Sequence, residues 1–418
     1  MPTFFAPARD CSNKFGIPLA YSFICQINDT QMTLSLLISI PFCVACIASA
    51  VIHPSLVRFA RMKNLVDNPN TRKLQIRPVP VLGGIGVFFG IMLGLVGACA
   101  VIDCSSLFVI FGCMLLMMYV GAMDDMLDIS PAVRLAAQIV VVLILIYIDG
   151  LSLDDFHGLW GIGLLPAAVS IPLTVFAVVG IINALNLIDG VDGLFSMFTM
   201  ATCALFGTIF LFGGDFQLFV LATASIGAMI PFLLHNAFGN TSKMFVGDGG
   251  TLLMGVVLSV FVMEIVSNPV YGKMFAAHNL GVVPFALAAL AVPVFDTVRV
   301  MTARILHGGS PFIGDKTHLH HMFIWLGVSH IGTAVSIVVL NLLVVLACWK
   351  AAQAGLSVDA QFYIVIAAAL FVTCGIYYGV RLVYRLNPER MDRFRDWKSH
   401  HRPDRAMFDF MQRLVDRF

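Results

Sequence analysis

The sequence predicts an all-α integral membrane protein with about eleven transmembrane helices. Of its 418 residues, 59% are hydrophobic and 12% are charged, and the mean hydropathy is +0.92. A soluble domain averages about 45–50% apolar and about 25% charged residues, and apolar stretches long enough to cross a bilayer recur along this chain. The net charge of +1 gives no indication of nucleic-acid binding, so we expect none.

Eleven apolar stretches define the order of the predicted spans. The first follows residues 1–32, which we interpret as an extracytoplasmic tail, with a translation start at Met32 as the alternative. Residues 33–381 are predicted to form one multi-pass domain, and residues 382–418 a basic cytosolic tail. The stretches cover residues 33–53, 80–102, 106–123, 134–149, 165–183, 194–213, 216–235, 249–267, 282–303, 329–349 and 361–381.

The positive charges orient the chain. An odd number of spans places the termini on opposite sides, and ten Lys and Arg residues lie between Arg381 and Arg417. Because short cytoplasmic loops are enriched in these residues, we predict a cytoplasmic C-terminus and an outside N-terminus. Apolar residues between Met407 and Phe418 have helical spacing. This amphipathic helix is expected either to lie on the inner leaflet or to pack against the protein's own cytosolic face.

The first inner loop contains Asp67-Asn-Pro-Asn-Thr-Arg-Lys73 and continues into a Pro- and Gly-rich turn at residues 78–84. Basic side chains beside such a turn suit phosphate binding, which makes Arg72 and Lys73 candidates. An ordinary positively charged inner loop is an equally good interpretation.

The next inner loop begins with three carboxylates, Asp124, Asp125 and Asp128, followed by Arg134. Each Asp at the middle of a bilayer costs roughly 2.5–3.5 kcal/mol, so these residues are predicted to lie at the interface. Asp124 and Asp128 are one turn apart and are expected to share a helix face. Such a pair suits a metal-bound phosphate or proton abstraction; the alternative is a solvated acidic loop.

Four polar side chains recur at every third position after a long apolar stretch: Asn183, Asn186, Asp189 and Asp192. Neighbours three apart share a helix face, so each neighbouring pair of these side chains is predicted to be able to converge on one ligand. Their carboxamide and carboxylate oxygens suit a hard cation. A turn rich in Asn, Asp and Gly between two membrane helices is the alternative interpretation.

Another inner loop ends in Gly247-Asp248-Gly249-Gly250 and leads into an apolar stretch. Here the helix N-terminus favours an anion, Gly249 permits close backbone approach, and Asp248 suits Mg²⁺. The segment is not a Walker loop, because it lacks the Gly-Lys-Ser/Thr ending. The alternative is a glycine turn capped by Asp248.

The last inner loop places His318, His320 and His321 shortly after Lys316. Three histidines in four residues beside a lysine are predicted to bind a diphosphate or to titrate near neutral pH. Zinc is the competing ligand, but no Cys lies nearby and the spacing is not that of the His-Glu-x-x-His motif.

Together these motifs, over roughly residues 33–330, resemble the polyprenyl-phosphate N-acetylhexosamine-1-phosphate transferase superfamily. Its members join a cytosolic UDP-sugar to a membrane-borne polyprenyl phosphate. The His-Leu-His-His form followed by Met322 resembles the bacterial branch that uses undecaprenyl phosphate and UDP-GlcNAc to begin O-antigen, common-antigen or wall polymers. Where members usually have His two residues after the Arg-Lys pair, this chain has Gln75.

The resemblance implies roles for the candidate residues. Mg²⁺, with Mn²⁺ as a substitute, would be held by Asn186 and Asp248. Direct attack by the lipid phosphate and double displacement through an aspartyl intermediate both remain open. The expected catalytic residues are Asp124, Asp125, Asp128, Asp189, Asp192 and His320, and the expected substrate contacts are Arg72, Lys73, Arg134, Asn183, Gly249, Lys316, His318 and His321.

The resemblance further implies a bacterial inner-membrane location, an active site on the cytoplasmic face, and contact with membrane lipid. UDP-N-acetylhexosamine and undecaprenyl phosphate are the expected partners, and a homodimer is a further expectation. Two alternatives stay open: a UDP-MurNAc-pentapeptide transferase of peptidoglycan synthesis, and an ion-coupled transporter, which would carry charges near the centres of its spans.

Overall fold

The computed structural model describes residues 19–68, 77–310, 316–400 and 405–417, with side chains described within 34–68, 77–310, 316–397 and 408–417. Within these ranges most of the chain is helical. The helices are α1 (Leu19–Met62), α2 (Gly83–Ala98), α3 (Leu107–Leu127), α4 (Pro131–Ile148), α5 (Ala167–Leu187), α6 (Leu194–Gly213), α7 (Phe216–Phe238), α8 (Gly247–Ser267), α9 (Pro269–Ala277), α10 (Val282–Ala289), α11 (Ala291–Leu306), α12 (Leu319–Trp325), α13 (His330–Gln353), α14 (Val358–Leu370), α15 (Ile376–Leu386), α16 (Pro388–His400) and α17 (Arg405–Val415).

Apolar helices occupy every one of the eleven predicted stretches. Within the described residues, nine segments are long and apolar enough to cross a membrane: the part of α1 from Leu34, then α3 to α8, α13, and the run from α14 to α15. The pair α10 and α11, bent by 72°, makes a tenth, and α2 is apolar but only 16 residues long. The all-α membrane class is confirmed, while the number of spans and the sidedness of the termini stay predictions.

Helix α8 lies at the centre of the bundle. It is apolar on all sides, as expected for a helix without a solvent-facing surface, and 94% of the residues in its most apolar stretch are buried. It packs mainly against α3 and α5, with further contacts to α2, α6 and α10. The first turn of α8, which carries Asp248, therefore lies in the middle of one end of the bundle.

Glycines bring backbones into contact around this turn. Gly84 of α2 lies against Gly250 of α8, and Gly121 of α3 lies against the backbone of Asp248, so that neither position has room for a Cβ atom. Glycine is the only residue that permits such close approach. The start of α8 is thus held by main-chain contacts with two neighbouring helices.

A short antiparallel pair of strands adds a non-helical element that the sequence analysis did not predict. Strands β1 (Val66–Asp67) and β2 (Val79–Pro80) pair with each other. The chain after β2 also bonds to the loop before α8, because the N–H of Gly83 donates to the carbonyl of Phe245 at 3.0 Å. Arg72, Lys73 and Gln75 fall between the two strands, outside the described residues.

Candidate active site

Asp248, in the first turn of α8, is the centre of a group of polar side chains. Its Oδ1 accepts a hydrogen bond of 2.8 Å from Nδ2 of Asn186, and its Oδ2 accepts one of 2.8 Å from Nη1 of Arg134. The same Arg134 nitrogen donates to Oδ2 of Asp124 at 2.6 Å. Helices α3, α4, α5 and α8 thus bring together four residues that the sequence analysis selected from separate motifs. We call this set, with the neighbouring Asp125 and Asp189, the Asp248 cluster.

Asp125 fixes the start of α8. Its carboxylate accepts hydrogen bonds from the backbone N–H groups of Asp248, at 2.9 Å, and of Gly249, at 3.2 Å. The carboxylate that caps α8 is therefore that of Asp125. The alternative interpretation, in which Asp248 is the cap, is wrong. Gly249 is buried and its N–H is bonded within the protein, so this amide is not free for a ligand, and the expected substrate contact of Gly249 stays a prediction. Asp125 instead holds Asp248 in place.

The four polar residues that recur at every third position do not converge on one point. Helix α5 ends at Leu187, so the helical spacing is lost after Asn186. Asn183 lies deeper in the bundle, where its Nδ2 donates to Oε1 of Gln138 and to the carbonyl of Val179, both at 2.8 Å. The predicted pairing of Asn183 with Asn186 is therefore wrong, and ligand binding by Asn186 stays a prediction.

Asp189 lies in the turn after α5, half-buried and near the carboxylates of Asp248, Asp192 and Asp125. Burial, followed by the charges of these carboxylates in that order, raises the pKa of Asp189 to about 8. The ionised form is disfavoured because it would add a further negative charge to an already negative region. A proton or a bound cation is needed here to balance the charge.

Asp192 belongs to a second group. Its Oδ2 accepts a hydrogen bond of 2.6 Å from Nζ of Lys243 and lies 2.7 Å from Nδ1 of His330. Burial alone raises the pKa of Asp192, but His330 and Lys243 outweigh it and the pKa lies below the ordinary value. Asp192 is therefore ionised and held by its own partners. Sequence reasoning missed both partners, although Lys243 is the one basic residue between α7 and α8.

The histidine segment is anchored by a residue that the sequence analysis also missed. Asp296 of α11 accepts hydrogen bonds from Arg299, and its Oδ2 lies 2.9 Å from Nδ1 of His318. The backbone N–H of Leu319 donates to the same carboxylate at 3.2 Å. The side chains of Asp296 and Arg299 are each only 3% exposed. The sequence did contain an indication of this ion pair, because Asp296 and Arg299 are opposite charges one helical turn apart in an apolar stretch.

His320 connects this segment to the Asp189 turn. A Cβ atom on Gly190 would lie 2.6 Å from Nε2 of His320, so a larger residue at this position would displace the ring. Burial, and then the neighbouring His321 and His318, lower the pKa of His320 well below its ordinary value. The prediction that the histidines titrate near neutral pH is wrong for His320, because its charged form would lie buried beside other basic groups.

The histidines also do not form a metal centre. The rings of His318 and His320 are parallel with centroids 5.5 Å apart, and the half-buried His321 ring lies 4.3 Å from that of His320. Within the described part of the chain, no group of three or more His, Cys, Asp or Glu side chains is arranged to hold a metal ion. Zinc at this segment is not supported.

Comparison with known proteins agrees with this arrangement. Residues 107–266 match the model of glycosyl transferase family 4, a range that contains Asp124, Asn186 and Asp248. The undecaprenyl-phosphate α-N-acetylglucosaminyl 1-phosphate transferase of Salmonella typhi is 34% identical over 265 residues, which are 62% of this chain and 68% of the relative. The chain belongs to glycosyl transferase family 4.

Two further relatives extend the comparison. The Escherichia coli K12 protein with the same name is 31% identical over 275 residues, covering 65% of this chain and 72% of the relative. A probable undecaprenyl-phosphate N-acetylglucosaminyl 1-phosphate transferase of Bacillus subtilis is 27% identical over 298 residues, covering 70% and 79%.

In this member of glycosyl transferase family 4, Asp128 lies beyond the helix that carries Asp124. Helix α3 ends at Leu127, and Asp128 follows in the left-handed region with φ 52°, exposed to solvent. The prediction that Asp128 shares a helix face with Asp124 is therefore wrong, because the helix does not continue to Asp128. Lys316 is exposed and directly follows residues 311–315, which lie outside the described residues.

Proposed function

We propose that this protein transfers GlcNAc 1-phosphate from UDP-GlcNAc to undecaprenyl phosphate, giving undecaprenyl-diphosphate-GlcNAc and UMP. The observation that carries the proposal is the Asp248 cluster, which lies inside the range matched to the family. The three relatives named above are transferases for N-acetylglucosaminyl 1-phosphate. Their names favour this reaction over a pentapeptide transferase or an ion-coupled transporter.

The reaction requires that two anions approach each other. An oxygen of the lipid phosphate must attack a phosphorus of the UDP-sugar that already carries negative charge, so positive groups have to offset the repulsion. Arg134 and the histidine segment supply some positive or hydrogen-bonding groups. The carboxylates of the Asp248 cluster nevertheless outnumber the guanidinium that contacts them.

We propose Mg²⁺ as the balancing cation, with Mn²⁺ as a substitute, held by Asp248 and Asn186. The oxygen donors of the cluster fit a hard cation, and Asp248 is 29% exposed, which permits access by a ligand. Mg²⁺ is usually held by one or two carboxylates and completes its coordination with water and substrate phosphates. A site in which the protein supplies fewer than three side-chain ligands is consistent with this coordination. The ion would neutralise phosphate charge and align the reactants.

The other side chains then have separate roles in the proposal. Asp124, held by Arg134, faces the lipid phosphate, and Asp125 positions Asp248. Asp189, with its pKa raised to about 8, is suited to hold a proton or to release one when positive charge arrives. His318 and His321 contact the diphosphate, and Asp192 orders the nucleotide pocket together with Lys243. Direct attack and double displacement are both compatible with these roles.

The activity is tested with purified protein in detergent, undecaprenyl phosphate, Mg²⁺ and a panel of UDP-sugars. We expect UMP release with UDP-GlcNAc, no release after chelation of Mg²⁺, and re-formation of UDP-GlcNAc on addition of UMP, because one phosphoanhydride is exchanged for another. The proposal is wrong if no UDP-N-acetylhexosamine yields UMP and vesicles containing the protein transport a solute in response to an ion gradient.

We also propose that the site faces the cytoplasm of a bacterial inner membrane and that its product begins a surface polysaccharide. Asn240 lies at the end of the bundle that contains the Asp248 cluster, and the exposed Leu164 lies in the loop between α4 and α5. In a cysteine-free background, Asn240→Cys should react with a membrane-impermeant label only from the cytoplasm and Leu164→Cys only from outside. The reverse pattern would contradict the placement. The homodimer stays a prediction that size measurement in detergent can test.

A further inference from the structure

The segment after α15 returns to the end of the bundle that holds the site. In α16, Nε of Arg395 donates a hydrogen bond of 2.8 Å to the carbonyl of Trp325, and its guanidinium lies 4.4 Å from the centre of that indole ring. Trp325 is the last residue of α12, the helix that begins directly after His318. This segment thus contacts the helix that carries the histidines.

The end of the same segment contacts a second element of the site. The ring of Phe408 in α17 packs against Phe238 at the end of α7, with centroids 5.7 Å apart. After α17, Oδ1 of Asp416 accepts hydrogen bonds from the backbone N–H groups of Asn240, Thr241 and Ser242, each at 3.0 Å, and from Oγ of Ser242 at 2.9 Å. One carboxylate oxygen therefore orders three consecutive amides.

Those amides begin the loop between α7 and α8. The next residue is Lys243, which donates to Asp192 at 2.6 Å. Further along, the carbonyl of Phe245 accepts from Gly83, and the loop then enters the first turn of α8. The carboxylate of Asp416 thus holds the loop immediately before the lysine that fixes Asp192. Hydrogen bonds to a charged acceptor are worth more than neutral ones, roughly 1.5–3 kcal/mol each.

We propose that Asp416 is a positioning residue for the nucleotide-sugar pocket: by holding the amides of residues 240–242, it sets Lys243 against Asp192. The inference rests on the proposed function and deepens it. It assigns control of UDP-sugar binding to Asp416, which lies outside the range matched to the family. Without this carboxylate, the three amides turn to water and Lys243 samples other positions. Asp192 then loses its fixed orientation, and the donor substrate binds less tightly.

The first experiment compares Asp416→Ala with Asp409→Ala. Asp409 is exposed on α17 and provides a matched loss of charge on the same helix. We expect Asp416→Ala to raise KM for UDP-GlcNAc about ten-fold, the effect of losing roughly one charged hydrogen bond, with kcat changed less than about two-fold. Asp416→Asn, which keeps an acceptor oxygen, should recover part of the loss, and Asp409→Ala should match wild type. An unchanged KM in Asp416→Ala would overturn the inference.

A double-mutant cycle tests whether Asp416 acts through Lys243. Lys243→Met alone should raise KM for UDP-GlcNAc, and adding Asp416→Ala should then change KM by less than about two-fold, because coupled residues have non-additive effects. If the two increases in KM multiply, Asp416 acts independently of Lys243 and the inference is wrong.

Hydrogen exchange separates this inference from the proposed activity. In the full-length protein, the amides of Asn240, Thr241 and Ser242 should exchange faster in Asp416→Ala than in wild type, and Asp409→Ala should leave them unchanged. Equal exchange in all three proteins would overturn the inference even if wild type releases UMP. If wild type releases no UMP from UDP-GlcNAc, the proposed function fails, and with it the link from Asp416 to UDP-sugar binding.

Discussion

Two groups of charged side chains lie at the same end of the bundle and differ in how their charges are balanced. Around Asp296, one carboxylate meets Arg299, His318 and the N–H of Leu319, and all three side chains are buried. In the Asp248 cluster, the carboxylates of Asp124, Asp125, Asp189 and Asp248 lie near each other, and Arg134 is the cation that contacts them among the described residues.

The difference distinguishes a group that holds two elements together from a group that we propose to bind a ligand. A buried ion pair with its hydrogen bonds satisfied can hold two elements in one arrangement, as Asp296 holds α11 to the histidine segment. A cluster with surplus negative charge is unfavourable by itself, and such clusters are concentrated at functional sites. The balance of charge thus separates a positioning group from a binding group where residue type alone does not.

The largest expected effect is that of Asp248→Asn. This change keeps the shape of the side chain but removes the charge proposed to hold the cation, so UMP release should fall by about a thousand-fold. Thermal unfolding in EDTA should change little, because relief of the repulsion within the cluster offsets the hydrogen bond that the new NH2 group cannot accept. Turnover within about ten-fold of wild type would show that the negative charge of Asp248 is not needed for catalysis.

Substitution at Asp296 should affect stability first. Asp296→Ala leaves the Arg299 guanidinium buried without its carboxylate, which costs about 3–5 kcal/mol, and denaturant unfolding in detergent should show the loss. Adding Arg299→Met should restore most of the stability, while UMP release stays low because His318 has lost the carboxylate that orients it. A double variant with wild-type turnover would contradict the positioning role.

The pH dependence of stability should identify the unbalanced cluster. The pKa of Asp189 is raised to about 8 in the folded protein and is about 3.9 in an unfolded chain. Between these values the folded state retains a proton that the unfolded state has released, so stability falls as pH rises from about 4 to about 8. In EDTA, the melting temperature of wild type should therefore decline across this window. Asp189→Asn should make the decline shallower, with a part left because the pKa of Asp125 is also raised, to about 7. Equal slopes would contradict the charge imbalance.

The smallest effect is expected for Asp128→Asn. Asp128 is exposed and caps α3 in the left-handed region, which Asn also adopts readily. UMP release should stay within about three-fold of wild type, because exposed substitutions away from special contacts rarely exceed about 0.5 kcal/mol. A loss greater than about ten-fold would return Asp128 to the catalytic group that the sequence analysis proposed.

The sequence was sufficient to predict the helices and the centre of the site. The length of each apolar stretch predicted the bundle, and the alternation of loops placed Asp124, Asn186 and Asp248 at one end before any contact was known. These three residues lie at or near the ends of α3, α5 and α8. Consistent helix direction was enough to bring them together.

The remaining contacts depend on features that local spacing does not contain. Asn183 lies within α5 and bonds to Gln138, whereas Asp192 lies beyond the end of α5 at Leu187 and meets Lys243 and His330. The strand pair and the contact between Asp416 and Asn240 join residues that are far apart in the chain and have no shared periodicity. Such pairings are specified by tertiary packing, and a single sequence shows no pattern for them.

The backbone contacts of Gly84 with Gly250, and of Gly121 with Asp248, limit how this enzyme can diversify. A side chain can change its rotamer to accommodate a new neighbour, but two main chains in contact cannot separate without moving entire helices. Substitution of any of these glycines is therefore expected to disrupt the helix contacts as a whole and not to adjust them in small steps. New sugar preferences, whether selected in nature or in the laboratory, should accordingly arise from substitutions at the rim, such as the loop of Lys243, while the position of Asp248 is inherited unchanged.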